Sequence, residues 1–588
     1  MSRAGVSDFD SRWFVVAAVD VHPGERSRPG ALAARDAGAD DLIELAAPGL
    51  LLRRQAPYPT SPRDLLVTID AQVLVALHLA LGWRVPERVI DIGLEARVIG
   101  RGGVGPIVGG LAGALLSFGL PSAGGLVRGS TPQTMHRRLR AVETLWDVMA
   151  VSVDLGRALL RGRYLCAVAK IEATGIPVDG ELLQRLAADW RSVRLDIIDL
   201  VDAGQDVFRQ GRLDPVAFGA WLQRKGITWP RDASGALDLT DGSFREMARA
   251  CCVVRPLKEL MTTLDRVDPS AITVGRDGRN RTPLRPFASR TGRNQPSAKA
   301  SVLGSAAWLR HLIRPMSGTG LTMIDWQQQE FGIAAALSGD IAMQTTYRSG
   351  DPYLGFAVLA GAAPPDATAK SHAAIRERFK ACALGLQYGM GADRLARQTA
   401  MPTTAALELI RQHRRAFATF WAWSDRVETH ALLHGCQTSA FGWRATVGPE
   451  PNPRALRNFP MQANGAEMLR LACCLLTEAG IAVTAPNHDA VLIEAPLEDI
   501  DDVVATAQRL MAEASEVVLD GFTLRTSARS VHWPERWADA RGQAVWSAVT
   551  QLMAPEQPAR MRDSCCAPPH TRAISLYASK RNTSDGSG

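Results

Sequence analysis

The chain lacks the features of a secreted, membrane-anchored or zinc-finger protein. Its first ten residues contain no apolar segment, so we expect no signal peptide. None of the nine cysteines has CxxC spacing, and six of them form adjacent pairs. Adjacent cysteines rarely share a tetrahedral zinc ion, so we expect reduced thiols and a cytoplasmic protein.

Charge is missing from one stretch, residues 102–127, which is long enough to cross a bilayer. Pro106, Pro121 and many glycines interrupt it. These residues favour a glycine-rich connection followed by a short buried helix over residues 111–120. We therefore expect no membrane partner.

Length and composition set the scale of the fold. A chain of 588 residues is too long for one hydrophobic core, so we expect three or four domains. The hydrophobic share of 46% and the charged share of 22% are typical of globular proteins. The net charge of +7 is compatible with a polyanionic partner, although many basic proteins bind no nucleic acid.

Apolar periodicity predicts an α/β region followed by a mainly helical one. The first 150 residues contain two strand-like runs, 13–19 and 64–69, and two helical patterns, 72–82 and 135–151. Later helices are predicted at 182–201, 244–264, 328–337, 465–479 and 499–518, and a β-hairpin at 481–494.

Two aspartates stand at the ends of apolar, strand-like runs. Asp325 ends the run that begins at Leu321, and Asp489 lies in the turn of the predicted hairpin. If the two strands are neighbours, both carboxylates can hold divalent metal ions. Aspartate is also a common turn residue, so either one alone is weak evidence.

A helical pattern between the two aspartates carries cations and an aromatic residue on one face. Arg376, Lys380, Leu384 and Tyr388 are each four residues apart. Cations suit a triphosphate, while apolar and aromatic groups suit a sugar and a base. The alternative is a solvated helix with a half-buried tyrosine.

Taken in order, these elements resemble the family A DNA polymerases of the bacterial DNA polymerase I type. The resemblance covers residues 280–535 and is closest to compact members without a 5′-nuclease domain. Four motifs carry it: the TGR element at Arg290–Arg293, motif A at Asp325–Glu330, motif B at Arg376–Gly389 and motif C at Asn487–Asp489. Arg454 and residues 458–462 resemble the family's segment along the template-primer minor groove.

The resemblance implies an α+β multidomain fold, a right-hand polymerase of palm, fingers and thumb behind an N-terminal α/β exonuclease-like domain. The implied boundaries are the exonuclease-like domain at 1–150, thumb at 151–280, palm at 281–340 and 446–540, fingers at 341–445, and a disordered tail at 541–588.

The resemblance also implies roles for individual residues. Asp325 and Asp489 would hold two Mg²⁺ ions, with Mn²⁺ an alternative. Lys380 would grip the triphosphate and protonate pyrophosphate. The remaining nucleotide-binding residues would be Arg376, Leu384, Tyr388, Glu330 and Gln328, with Glu330 excluding a 2′-hydroxyl. The DNA-binding residues would be Arg293, Arg454, Asn458, Gln462 and His488.

Three positions depart from the family pattern in the polymerase motifs. Ala490 replaces the second acid of motif C, Leu384 replaces an aromatic residue of motif B, and Trp326 replaces the tyrosine of motif A. We still expect activity, because the aspartate of motif C is the essential ligand in the family.

The N-terminal region departs further. It has no Asp-x-Glu before residue 70, and Leu74 stands where a second acid is expected. Asp91 and Asp147 are possible remnants of later motifs, with Glu143 in place of a tyrosine. We expect a structural relic without proofreading.

The expected function is DNA-templated DNA synthesis in replication or repair. Primer-template DNA and dNTPs would be the partners of a monomer. Two alternatives remain: a catalytically impaired DNA-binding protein on a polymerase scaffold, and a single-subunit RNA polymerase. Glu330 argues against the last, because RNA synthesis needs room for the 2′-hydroxyl.

Overall fold

The computed structural model describes residues 9–101, 110–121, 129–232, 234–304, 306–399 and 401–553. Helices and sheets are both present and occupy different regions of the chain. The predicted α+β class is therefore confirmed.

The N-terminal region is built on a five-stranded sheet of order β3-β2-β1-β4-β5. Its strands are β1 (Ser11–Asp20), β2 (Arg28–Asp36), β3 (Leu42–Ala46), β4 (Asp64–Thr68) and β5 (Val89–Asp91). The helices are α1 (Ala47–Leu51), α2 (Ala71–Leu81), α3 (Ile92–Arg101), α4 (Gly110–Ser117) and α5 (Pro132–Met149).

Strand β1 is buried on both faces, which explains its continuous apolar run. Phe14 and Val16 belong to one hydrophobic cluster, and Val15 and Ala17 to another. Successive side chains of a strand point to opposite faces, so helices can cover both sides of this sheet.

The glycine-rich stretch contributes the short helix α4, close to the predicted residues 111–120. Leu111, Ala114 and Leu115 are buried there. Residues 102–109 and 122–128, which flank the helix, lie outside the described residues. No helix in the described part of the chain is long and apolar enough to cross a membrane.

A mainly helical region follows. It contains α6 (Leu155–Thr174), α7 (Gly180–Asp202), α8 (Pro215–Arg224), α9 (Asp241–Ala250) and α10 (Arg255–Arg266). Two small strand pairs accompany the helices: β6 (Ile176–Pro177) pairs with β9 (Arg279–Asn280), and β7 (Phe208–Arg209) with β8 (Arg212–Leu213).

The single helix predicted over 244–264 is wrong, because it is two helices. Cys251 is extended, and a short 3₁₀ turn precedes α10. Pro256 lies in the first turn of α10. Proline lacks an N–H, so it fits the start of a helix and breaks its interior.

Helix α6 packs closely against the N-terminal sheet. A Cβ at Gly162 would lie 1.8 Å from the Val89 carbonyl oxygen, so only glycine permits this approach. The next residue of α6, Arg163, donates two hydrogen bonds to Glu478 of the helix Pro453–Glu478, of 2.6 and 2.5 Å. The helix thus connects the N-terminal region to the rest of the protein.

The remaining elements surround a four-stranded antiparallel sheet of order β13-β14-β10-β15. The strands are β10 (Thr319–Trp326), β11 (Cys436–Thr438), β12 (Arg444–Thr446), β13 (Ala482–Asn487), β14 (Ala490–Pro496) and β15 (Thr526–His532). The helices are α11 (Gln329–Ser338), α12 (Ile341–Arg348), α13 (Pro352–Leu359), α14 (Ala373–Gln387), α15 (Ala392–Thr399), α16 (Thr403–Ala416), α17 (Ala418–His434), α18 (Pro453–Glu478), α19 (Ile500–Val518) and α20 (Gln543–Leu552).

Helix α18 is longer than the predicted 465–479. It begins after Asn452, whose side chain accepts a 3.0 Å hydrogen bond from the Arg454 amide, and it continues through Pro460. Pro460 leaves the Leu456 carbonyl without its usual backbone donor, and the Gln437 side chain donates a 2.9 Å hydrogen bond to that carbonyl instead. Proline alone predicts a break, but burial along most of α18 overrides that local preference.

The prediction that the chain is disordered from residue 541 is wrong for its first residues. Residues 543–552 form α20, whose Val545, Trp546 and Val549 are buried at helical spacing. Trp546 stacks on His311 with ring centroids 5.0 Å apart. The rest of the expected tail, from residue 554, lies outside the described residues.

Candidate active site

The two aspartates are neighbours at the end of the central sheet, as the sequence suggests. In the β10–β14 pairing, Asp325 is opposite Ala490, the residue after Asp489. The Trp326 amide also donates a 3.2 Å hydrogen bond to the Asp489 carbonyl. Both aspartates therefore lie at the same end of the sheet, Asp325 in β10 and Asp489 in the loop that precedes β14.

A two-residue hairpin loop presents Asp489. His488 and Asp489 connect Asn487 to its partner Ala490. His488 is exposed and has a φ of +59°. Two-residue hairpin loops require positive φ, which histidine adopts more readily than β-branched residues. This tight loop fixes the position of Asp489 relative to Asp325.

The electrostatics of the pair suit a divalent cation. Burial raises the pKa of the Asp489 carboxyl, and the nearby charges of Asp325 and Glu330 raise it further. A cation between two such carboxylates relieves both the desolvation and the repulsion. No group of three or more His, Cys, Asp or Glu residues able to hold a metal occurs in the described regions. Mg²⁺ commonly uses one or two carboxylates and takes its other ligands from phosphates and water, so the donor set fits it.

Ser527 is a site residue that sequence reasoning missed. It lies opposite Asp325 in the β10–β15 pairing, and its hydroxyl donates a 2.5 Å hydrogen bond to the Asp325 carboxylate. This bond orients one of the two acids. No sequence motif marks Ser527, because its contact depends on the register of a strand about 200 residues away.

Helix α14 carries the expected cations, but the structure distinguishes between them. Arg376 forms an ion pair through its Nε with Asp351 and a 2.8 Å bond through Nη1 with Glu377. Its guanidinium also lies 5.6 Å from the centroid of the Tyr353 ring. Lys380 has no hydrogen bond or ion pair to any residue that the structure describes. Only the lysine is thus immediately available to an anion.

Asp351 was also missed. It is the N-cap of α13 and accepts hydrogen bonds from the amides of Tyr353 and Leu354 at 3.1 and 3.3 Å. The sequence Asp351-Pro352 is a helix-start signal, since proline favours the first helical position. That signal predicts the cap but not the second role as partner of Arg376.

Tyr388 at the end of α14, Glu330 of α11 and Gln462 of α18 form a hydrogen-bonded trio. The Tyr388 hydroxyl and the Gln462 amide both donate to the Glu330 carboxylate. Gln462 Nε2 also contacts the Tyr388 hydroxyl at 2.6 Å. Burial, followed by the Glu330 charge, raises the pKa of Tyr388, so this tyrosine remains protonated and donates.

Gln328 and Leu384 have less defined surroundings. Gln328 precedes α11 with a φ of +47°, and its buried Oε1 has no hydrogen-bond partner among the described residues. Leu384 is half-buried on α14. Their predicted contacts with a nucleotide stay predictions.

The TGR element is a tight turn held by α18 and by Trp443. The Gly292 amide bonds to the Ser289 carbonyl at 3.0 Å, and Gly292 has a φ of +74°. The positive φ favours glycine, and a Cβ there would also lie in tight contact with Arg470, 3.2 Å from its Nη1. Burial dominates and raises the pKa of Tyr388, and the positive charge of Arg293 partly opposes that rise, so this arginine lies near the trio.

The other DNA-binding candidates follow one face of α18. Arg454, Asn458 and Gln462 are four residues apart. The stem of exposed Arg454 packs on Gly389, where a Cβ would lie 2.8 Å from its Cγ. The buried Asn458 Oδ1 has no partner within the described ranges. This face connects the start of α18 to the trio.

Comparison with known proteins agrees with this geometry. Residues 295–532 match the sequence profile of DNA polymerase family A. This match covers the central sheet and both aspartates. The resemblance inferred from the four motifs is confirmed.

Several curated relatives are DNA polymerases. The thermostable DNA polymerase I of Thermus thermophilus is 26% identical over 414 residues, which cover 65% of this chain and 48% of the relative. The DNA polymerase of Mycobacterium phage D29 is 29% identical over 252 residues, covering 42% of this chain and 41% of the phage protein. The chain spans about half the length of these curated relatives.

A solved structure shares the fold. The POL domain of Pol1 from M. smegmatis, in complex with DNA primer-template and dNTP, superposes with a TM-score of 0.67. The match covers 88% of this chain and 95% of that domain at 19% identity. The predicted polymerase fold is confirmed. Because the sequence identity is only 19%, the match shows a shared fold and nothing beyond it.

The family A departures can be placed in the structure. Ala490 is buried at the start of β14 and supplies no third acid. Trp326 is 1% exposed, and its indole N–H donates to the Met511 carbonyl at 3.2 Å. Tryptophan thus packs in the interior behind the site.

The possible exonuclease remnants have structural partners. Asp91 accepts 2.9 Å hydrogen bonds from the amides of Ala71 and Leu94. Burial, followed by the charge of Asp70, raises the pKa of Asp91 to about 7. Glu143 pairs with Arg35 at 3.3 Å, Leu74 is fully buried, and Asp147 is exposed on α5. Asp91 and Glu143 therefore have structural partners, whereas the predicted loss of proofreading stays a prediction.

Proposed function

We propose that the protein is a DNA-templated DNA polymerase that adds dNTPs to a primer 3′-hydroxyl and releases pyrophosphate. The observation that carries the proposal is the pair Asp325 and Asp489, the first near the end of β10 and the second in the adjoining hairpin loop, within a region that matches family A. Two such carboxylates are the protein ligands that nucleotidyl transfer requires.

Asp325 and Asp489 would hold two Mg²⁺ ions, with Mn²⁺ as a substitute. When bound, such ions supply Lewis-acid stabilisation of the charge that develops on phosphate oxygens. The hydrogen bond from Ser527 holds the Asp325 carboxylate in one orientation. Fixed ligands keep the reorganisation during the reaction small.

The cations of α14 would bind the triphosphate from the opposite side. Lys380, which has no partner among the described residues, is positioned to bind phosphate at once and to protonate the leaving pyrophosphate. Arg376 would join it after exchanging Asp351 for phosphate. Leu384, Gln328 and Tyr388 would contact the sugar and base.

Glu330 would exclude ribonucleotides. Two hydrogen bonds, from Tyr388 and Gln462, fix its carboxylate. A fixed carboxylate beneath the sugar leaves no room for a 2′-hydroxyl. Primer-template DNA would lie against the residues Arg293, Arg454, Asn458, Gln462 and His488.

The proposal extends to the domains. Residues 151–280 would be the thumb, 281–340 and 446–540 the palm, and 341–445 the fingers. Residues 1–150 would be an exonuclease-like domain without proofreading. The protein would act as a monomer on cytoplasmic DNA in replication or repair.

A catalytically impaired DNA-binding protein is the second candidate, and the buried Ala490 is the observation that favours it. Primer extension with Mg²⁺, comparing dNTPs with NTPs, separates the possibilities. Extension with dNTPs supports the proposal. Binding of primer-template without extension supports the impaired protein, and extension with NTPs indicates RNA synthesis.

A further inference from the structure

The segment that leads into the TGR turn has an unusual backbone. Arg285 and Phe287 have φ values of +48° and +56°. Residues with a Cβ rarely adopt this region, and they stay there only when their surroundings hold them. Phe287 is four residues before Thr291, so whatever holds it also influences the turn.

Phe287 is buried among aromatic rings and an arginine side chain. Its ring is 1% exposed, stacks on Trp443 at 5.1 Å and meets Tyr164 edge-on at 5.7 Å. The Arg470 guanidinium lies 4.7 Å from the ring centroid. The Phe287 carbonyl accepts a 2.7 Å hydrogen bond from Arg97.

Arg97 belongs to α3, in the N-terminal region. That helix is fixed to α6 by a buried ion pair in which Arg161 donates two 2.6 Å hydrogen bonds to Glu95. A second connection lies close by, since Glu172 of α6 accepts a 2.7 Å bond from the Leu284 amide. The N-terminal region therefore presents Arg97 from a rigid support.

The contacts of Phe287 continue into the TGR turn. Arg470 donates a 2.6 Å hydrogen bond to the Gly292 carbonyl, and the Trp443 indole donates one of 3.1 Å to the Arg290 carbonyl. The same two side chains thus touch both Phe287 and the turn. A continuous path runs from Arg97 through Phe287 to the residue before Arg293.

We propose that Arg97 is a positioning residue for the TGR turn, and that the N-terminal region holds Arg293 in place for the primer terminus. The inference rests on the proposed polymerase function. It gives the region a role in DNA synthesis that does not depend on exonuclease acids.

The test is steady-state primer extension by Arg97→Ala, with Arg88→Ala as the matched control. Arg88 is an exposed arginine of the same region. Arg97→Ala removes a charged hydrogen-bond donor from the Phe287 carbonyl, so kcat/KM for primer-template should fall about tenfold. The KM for dNTP should stay within about twofold, because the path ends at the primer side of the site. Arg97→Lys, which keeps one donor, should recover part of the loss.

A double variant separates positioning from general destabilisation. If Arg97 acts through Arg293, Arg97→Ala should add no further loss to Arg293→Ala, because both changes remove the same interaction. Additive losses, or an Arg97→Ala variant equal to Arg88→Ala, would overturn the inference.

If Arg97→Ala does not fold, Trp443→Phe tests the far end of the path. Phenylalanine keeps a ring against Phe287 and removes the bond to Arg290. It should reproduce the selective loss in kcat/KM for primer-template, and unchanged kinetics would overturn the inference. The unmodified protein is assayed first. Failure of that protein to extend a primer overturns the proposed function and this inference together, whereas failure of the variants alone affects only the inference.

Discussion

Replacing Asp351 with asparagine should tighten dNTP binding, because Asp351 competes with the triphosphate for Arg376. The ion pair is partly exposed, with side-chain exposures of 20% for Arg376 and 24% for Asp351. Solvent screening limits such a pair to about 1 kcal/mol. Asparagine caps a helix about as well as aspartate, so α13 should keep its start.

If removing the ion pair makes about 1 kcal/mol more binding free energy available to the triphosphate, the dNTP dissociation constant should fall about fivefold. The assay is rapid-quench primer extension over a range of dNTP concentrations, which separates the dissociation constant from the maximum rate. Glu377→Gln is the control, since Glu377 also bonds Arg376 but is 64% exposed, and it should change binding by less than about twofold. Unchanged or weaker dNTP binding by Asp351→Asn, with α13 intact by circular dichroism, would refute the reasoning.

The trio, the metal pair and a buried histidine can each be tested by one substitution. Glu330→Ala should admit ribonucleotides and release Tyr388, so the ratio of dNTP to NTP incorporation should fall; an unchanged ratio would exclude Glu330 as the steric gate. Asp489→Asn should raise the thermal stability of the metal-free protein at neutral pH, because burial and the charge of Asp325 raise the pKa of Asp489 and make its ionised form costly. The gain in stability should vanish in acid, where Asp489 is protonated, and a gain independent of pH would contradict the assignment. Burial lowers the pKa of His78 to about 4, so the protein should lose stability as the pH falls from about 6.5 towards 4. The His78→Gln variant should lose less thermal stability over that pH range, and an identical loss would show that His78 does not contribute.

The sequence predicts the centre of the site well because its motifs are local. Asp325 lies near the end of one strand, Asp489 lies in one hairpin, and Arg376, Lys380 and Leu384 follow one helix that Tyr388 caps. Each pattern needs only the periodicity of a single element. The remaining step, that β10 and β14 are neighbours, came from the resemblance to a known family.

The contacts that sequence reasoning missed join distant elements. Ser527 reaches Asp325 through strand register, and Asp351 reaches Arg376 across two helices. Arg97 reaches Phe287 across 190 positions of the chain. Each residue looks ordinary in its local sequence, so no periodicity or motif predicts its partner.

Two helix boundaries were predicted wrongly, and in both cases a proline is involved. Pro256 divides a pattern that looks like one helix, because it fits only the first turn of α10. Pro460 fails to divide α18, because the packed surface around that helix outweighs one missing hydrogen bond. Proline alone cannot distinguish these cases.

The most direct test of the central assignment is single-turnover primer extension by Asp325→Asn and Asp489→Asn, with primer-template binding measured on the same samples. Asp501→Asn, an exposed aspartate at the start of α19, is the matched control. Losing either metal ligand should remove about 4 kcal/mol or more of transition-state stabilisation, a fall in rate of about a thousandfold, while binding of DNA persists. Extension by either variant at nearly the unmodified rate would contradict the account.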